Sequence, residues 1–150
     1  MKNKKSAFDA AVNCITYRDR SRKELYDKLK EKGYSSSEID DALDKMVYYG
    51  YINDERYAFS YIKSNINKKG SGLIERELLN KGVDDNIISN SLEEFGQDEE
   101  TVISEILERR YRDADFSDEK HLRRIYGFLV RRGFKYDNIC KSVANYKKMQ

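Results

Sequence analysis

The chain contains no proline and no tryptophan, one histidine and two cysteines in 150 residues. Without proline nothing forces an internal helix break, and a composition that is 37% charged suits long amphipathic helices with polar outer faces. No apolar run approaches the roughly 20 residues that a membrane span needs. The opening stretch MKNKKSAFDA has bases but no apolar core behind them, so no signal peptide and a cytoplasmic address are expected. Cys14 and Cys140 lie near opposite ends at apolar helical positions, and read as buried reduced thiols rather than a disulfide or metal pair. His121, beside Lys120 and Arg123, reads as a surface residue. Hydrophobic content is only 39%, but its periodic placement argues against disorder.

What the chain does have is a pattern stated three times. Gly33, Gly82 and Gly133 stand 49 and 51 residues apart. Each is preceded by a base (Lys32, Lys81, Arg132) and followed by an apolar residue (Tyr34, Val83, Phe134). Four residues before them are Leu29, Leu78 and Leu129, and eight before are Leu25, Ile74 and Ile125. Six after are Ile39, Ile88 and Ile139; ten after are Leu43, Leu92 and Val143. A fixed period of this size marks stacked supersecondary units, none able to bury a core alone. The expected product is a surface for binding rather than one enclosed pocket.

Each unit reads as three helices. In the first, Ala7, Ala11, Val12 and Ile15 form an apolar stripe. Ser21 with Glu24 makes a capping box for the helix of Leu25 and Leu29, which Gly33 ends. Ser35 to Ser37 open the third helix, of Ile39, Leu43, Met46 and Val47, which Gly50 ends. The second unit uses Asn53 or Asp54, Ser71 and Asp84 as helix starts; the third uses Asp98, Ser117 and Tyr136. No run alternates as a strand does. The expected fold is all-α, an elongated curved array of three-helix repeats over residues 1–50, 51–96 and 97–150.

The charge is uneven: the three successive fifties carry +2, −5 and +5, within a total of +2. A plain nucleic-acid binder is usually basic throughout, so alternating signs suit a protein or nucleoprotein partner. Bases that neither packing nor capping explains are the candidates for contact. Arg20, Arg22 and Lys23 crowd a helix start, where positive charge opposes the dipole. Lys68 and Lys69 flank glycines, Arg109, Arg110 and Arg112 close one helix, and Arg123, Arg124, Arg131 and Arg132 populate the next. Positions 124, 128, 131 and 132 are neighbours on a helix, so Arg124, Arg131 and Arg132 are expected to share a charged face. Other motifs fall short. Asp113, Asp115 and Asp118 lack the glycine and glutamate of a calcium loop. Lys69-Gly70-Ser71-Gly72 is too short for a phosphate-binding loop and reads as a mobile connector. Most of the 12 tyrosines read as packing beside cores. No enzyme activity, cofactor or metal is expected. A rival reading is a sequence-specific DNA reader of helix-turn-helix type, since Leu129, Gly133 and Ile139 have that spacing. Carboxylates crowd the first two candidate recognition helices, and only the third, with Lys135, Asn138 and Lys141, suits base edges.

Several segments together resemble the RecX family of bacterial regulators. They are Arg20-Ser21-Arg22-Lys23-Glu24-Leu25 with Leu29 to Gly33, then Gly50-Tyr51-Ile52-Asn53-Asp54-Glu55-Arg56-Tyr57-Ala58. Lys69-Gly70, Ile74-Glu75-Arg76-Glu77-Leu78 and Lys81-Gly82-Val83 follow, and last Phe128-Leu129-Val130-Arg131-Arg132-Gly133-Phe134 with Tyr136 and Ile139. One departure is Asn53, where the family often has aspartate; either caps a helix. The resemblance implies three three-helix repeats and a monomer that binds RecA filaments on single-stranded DNA. It also implies lodging in the filament groove, restraint of RecA ATPase and strand exchange in recombinational repair and the SOS response, and some DNA affinity.

Overall fold

The computed structural model describes residues 5–150; the first four, part of the stretch read above for a signal peptide, lie outside the described residues. Nine α-helices and no strand occur among the described residues: α1 (Ala7–Tyr17), α2 (Arg22–Glu31), α3 (Ser36–Tyr48), α4 (Asp54–Asn65), α5 (Ser71–Asn80), α6 (Asp85–Phe95), α7 (Glu99–Arg110), α8 (Glu119–Arg131) and α9 (Tyr136–Met149). The recurring apolar positions are the core. Leu25, Leu29, Ile39, Ile74, Leu78, Ile88, Ile125, Leu129 and Ile139 are all fully buried, and of the fifteen recurring apolar residues only Leu92 is left partly open. The repeated glycines adopt positive φ, as left-handed helix ends require.

By contact the chain forms two compact units, one made of the chain up to Tyr61 with Leu78–Ser91, the other of Ile62–Glu77 with Leu92–Gln150. In the first, α1, α2 and α3 pack on one another around Ala11, Leu25, Leu29, Leu43 and Met46. In the second, α9 packs on α7 and α8 around Ile103, Leu107, Phe116, Ile125 and Leu129.

The caps hold a feature that local reading could not see. Ser6, Ser21, Ser35, Asn53, Asp84, Asp98 and Asp118 each accept from a backbone N–H two or three residues on. Ser117 therefore lies one residue before the cap of α8, and Lys135 starts α9 with no side-chain bond. Ser71 is the first residue of α5, as its reading as a helix start expects. Its N–H and hydroxyl donate to Glu99 Oε1 at 3.2 and 3.1 Å, while Glu99 Oε2 accepts from the Lys135 N–H and the Asn138 amide, both at 3.0 Å. One buried carboxylate thus caps both α5 and α9. The first unit has a counterpart: Asp54 Oδ1 accepts from the Arg22 N–H at 3.0 Å, at the start of α2. In both cases the acid is the first residue of the next repeat's first helix. The opposite ends match too. Ser21 Oγ donates to the Lys81 carbonyl at 2.5 Å, and the Gly70 N–H donates to the Arg132 carbonyl at 2.7 Å. Each junction sets the positive end of one helix against the negative end of another and satisfies groups that a lone helix leaves open.

Burial opposes ionisation of Glu99, but the donors from Asn138, Lys135 and Ser71 prevail and hold its carboxyl below the usual range. Its stabilising effect is therefore complete above about pH 4.5, the ordinary value, and fades as pH falls through the lowered folded value. Glu99→Gln keeps the shape and loses the charge. It is expected to destabilise the fold at pH 7 by about 2 kcal/mol and to flatten the fall in melting temperature below about pH 4.5. Thermal melts across that range check this; an unchanged acid slope would assign the acid lability elsewhere.

Candidate functional site

The expected contact residues fall into two groups that the structure treats differently. In the first unit each base has a partner within the chain. Arg20 Nε donates to the Cys14 carbonyl at 3.1 Å, Arg22 pairs with Asp44 at 2.9 Å and Lys23 with Asp27 at 2.9 Å. The excess positive charge at the start of α2 is thus offset by neighbouring acids and by a carbonyl of α1. Nearby, burial opposes ionisation of Glu24, yet donors from Ser21, Tyr57 and Arg18 keep its carboxyl below the usual range.

The second unit is different. Lys68, Arg109, Arg110 and Arg132, from the stretch after α4, the end of α7 and the end of α8, line one open hollow of about 410 Å³ with Ile106 and Phe128. None of these four bases makes an ion pair with a described residue, whereas adjacent Lys69 is held by both oxygens of Glu77 at 2.8 Å. The Arg110 guanidinium stands 4.2 Å from the Phe128 ring centre and that of Arg132 4.9 Å. A base at a helix C-terminus is worth a few tenths of a kcal/mol against the dipole. That accounts for single bases, not for four converging cations with no ion pair to a described residue. A guanidinium laid against a ring keeps its in-plane N–H donors for an outside acceptor.

The remaining candidates separate. Arg123 makes an exposed pair with Glu119 at 3.7 Å, and Arg112 one with Glu108 at 3.5 Å. Arg124 is exposed, and Arg131 folds back over Gly127. Arg132 turns to Phe128, so the structure joins it to the α7 bases. Phe128 shares this helix face by its spacing, and its position four residues before Arg132 is the sequence signal that sets the ring beneath that base.

Other expectations are corrected. Residues 69–72 are no mobile connector: Gly70 is buried, and a Cβ there would overlap the backbone of Gly133. His121 is half-buried, and its Nδ1 accepts from the Asp115 N–H at 2.9 Å. Asp115 and Asp118 spend their carboxylates on turning the chain at Ser117 and Lys120. Cys14 is a buried free thiol, but Cys140 is only half-buried. Tyr48, Tyr49 and Tyr51 are exposed, forming with Phe8 a surface set of ring contacts 5.4–6.3 Å apart. Asn138, the base-reading candidate on α9, gives its amide to Glu99. That commitment removes the best residue of the sequence-specific reader.

Repeated three-helix units define a class, a helical-repeat protein. The chain belongs to the RecX family, whose first, second and third three-helix domains match residues 7–46, 53–92 and 98–142 in order. Proteins named regulatory protein RecX from Bacillus thuringiensis (strain Al Hakam) and Bacillus cytotoxicus are 34% and 32% identical to it over 139 residues. The match covers 89% of this chain and 51% of each relative, so the chain spans about half the length of these curated relatives. The crystal structure of RecX from Lactobacillus salivarius superposes with a TM-score of 0.75 at 29% identity, covering 96% of both chains. A second crystal structure, of a regulatory protein RecX, gives 0.74 at 25% identity over 96% of this chain and 70% of that one. No helix among the described residues is long and apolar enough to cross a membrane.

Proposed function

We propose that the chain, as three repeats over 1–50, 51–96 and 97–150, binds RecA filaments on single-stranded DNA as a monomer and restrains their ATPase and strand exchange. In this reading it works in the cytoplasm and modulates recombinational repair without catalysis of its own. Family membership supports the choice of partner, and one observation supports the site: Lys68, Arg109, Arg110 and Arg132 converge beside Phe128 with no ion pair to a described residue. Such a surface complements the phosphates or carboxylates of a nucleoprotein. The acidic middle third argues against simple coating of free DNA.

The test is ATP hydrolysis by preformed RecA filaments on single-stranded DNA as purified protein is added. Hydrolysis is expected to fall with protein concentration and to stay low when excess single strand is supplied. Full recovery in proportion to added DNA would mean that the protein only sequesters strands. Absence of any inhibition would remove the proposed function.

A further inference from the structure

The proposed function leaves open what fills the basic hollow. We infer that it holds one unpaired nucleotide of the DNA strand, its phosphate among Lys68, Arg109, Arg110 and Arg132 and its base on the guanidinium planes backed by Phe128. This rests on the reading of the chain as a partner of filaments on single strands.

Three observations carry the inference. The first is charge: four cations with no ion pair to a described residue meet at one place, so the occupant they complement is anionic. The second is shape. At about 410 Å³ the hollow is within the ~300–1,000 Å³ of small-molecule sites and roomier than a side-chain carboxylate needs. The third is the arrangement of the arginines. Arg110 and Arg132 sit 4.2 and 4.9 Å from one ring centre, so each guanidinium is held at the ring in advance. A guanidinium so held offers N–H edges to a phosphate and a flat face to a base, and unpaired bases stack on arginine planes as well as on aromatic rings. Ile106 adds apolar surface to the lining, which a phosphate alone does not require. A duplex keeps its bases stacked inside and offers this site only phosphate.

The expected behaviour is a preference for single strands with bases. Fluorescence anisotropy would follow the full chain binding to a labelled 15-nucleotide oligo-dT, to an abasic strand of equal length and to a duplex. The wild type is expected to bind oligo-dT about 10-fold more tightly than the abasic strand, the size of one lost base stack. Arg110→Lys with Arg132→Lys keeps the charge and loses the planes. It is expected to erase that 10-fold preference with little change in salt slope. Arg110→Glu with Arg132→Glu should make the slope of log affinity against log salt shallower by about 0.7, as for one single-strand phosphate. Melting curves verify folding, and Lys68→Glu, at an exposed position, replaces the double reversal if that variant unfolds.

Equal binding of abasic strand and oligo-dT, or a lysine variant like wild type, overturns the inference. So does a glutamate variant that binds oligo-dT normally but has lost the filament, since the hollow would then meet carboxylates of RecA. Inhibition of filament ATPase is measured in parallel. Inhibition without oligonucleotide binding sinks the nucleotide site alone, whereas no inhibition by wild type sinks the function proposed above.

Discussion

Gly133→Ala is expected to lower the melting temperature by about 10 °C, against about 3 °C for Gly50→Ala. The two glycines have similar backbone angles, φ +83° and +75°, so each alanine incurs about 1 kcal/mol for the left-handed conformation. Their surroundings differ. A Cβ on Gly50 meets nothing within 4 Å, whereas one on Gly133 would overlap the backbone nitrogen and Cβ of Leu73. Leu73 lies in the first turn of α5, whose preceding residue Gly70 donates to the Arg132 carbonyl. Relieving the overlap displaces that junction, adding about 2 kcal/mol. Thermal or chemical denaturation of both variants checks the contrast. Equal losses would mean that backbone angle alone matters at Gly133.

Reversing Lys68 and Arg109 to glutamate is expected to weaken filament affinity about 100-fold, while reversing Arg22 and Lys23 changes it by less than about 3-fold. Two charge-assisted contacts at about 1.5 kcal/mol each give the first figure. The second follows from the partners: Arg22 and Lys23 already serve Asp44 and Asp27, and exposed pairs of that kind contribute little. The measurement is a titration of protein onto filaments at fixed salt, with circular dichroism to show that both variants fold. If the first-unit pair matters as much as the second-unit pair, the hollow is not the principal contact.

The sequence was most readable where structure is local. Ser21 with Glu24, Ser35, Asp98 and the three glycines act within a few residues of where they stand, and period alone located the buried leucines and isoleucines. Reading failed where the partner is distant. Ser71 marks the start of α5, but nothing near it in the chain shows that its acceptor, Glu99, lies 28 residues on. Gly70 and Gly72 looked loose because nothing nearby shows that Gly133 packs against them. Among the bases, residue type and position marked candidates well enough, but only tertiary contacts separate Arg22, neutralised by Asp44, from Arg110, left beside Phe128.

The caps borrowed from the next repeat carry a consequence for synthesis. A nascent chain emerges from the ribosome with α2 complete while Asp54, which accepts the Arg22 N–H, is still inside the exit tunnel. The start of α5 likewise waits for Glu99, and Glu99 in turn waits for Lys135 and Asn138 before its second oxygen is satisfied. The first two repeats therefore mature only as their successors appear. The last joint to close, between Glu99 and the start of α9, follows within a few residues of Gly133 and Phe134, so translation delivers the basic surface and the bond that locks it almost together.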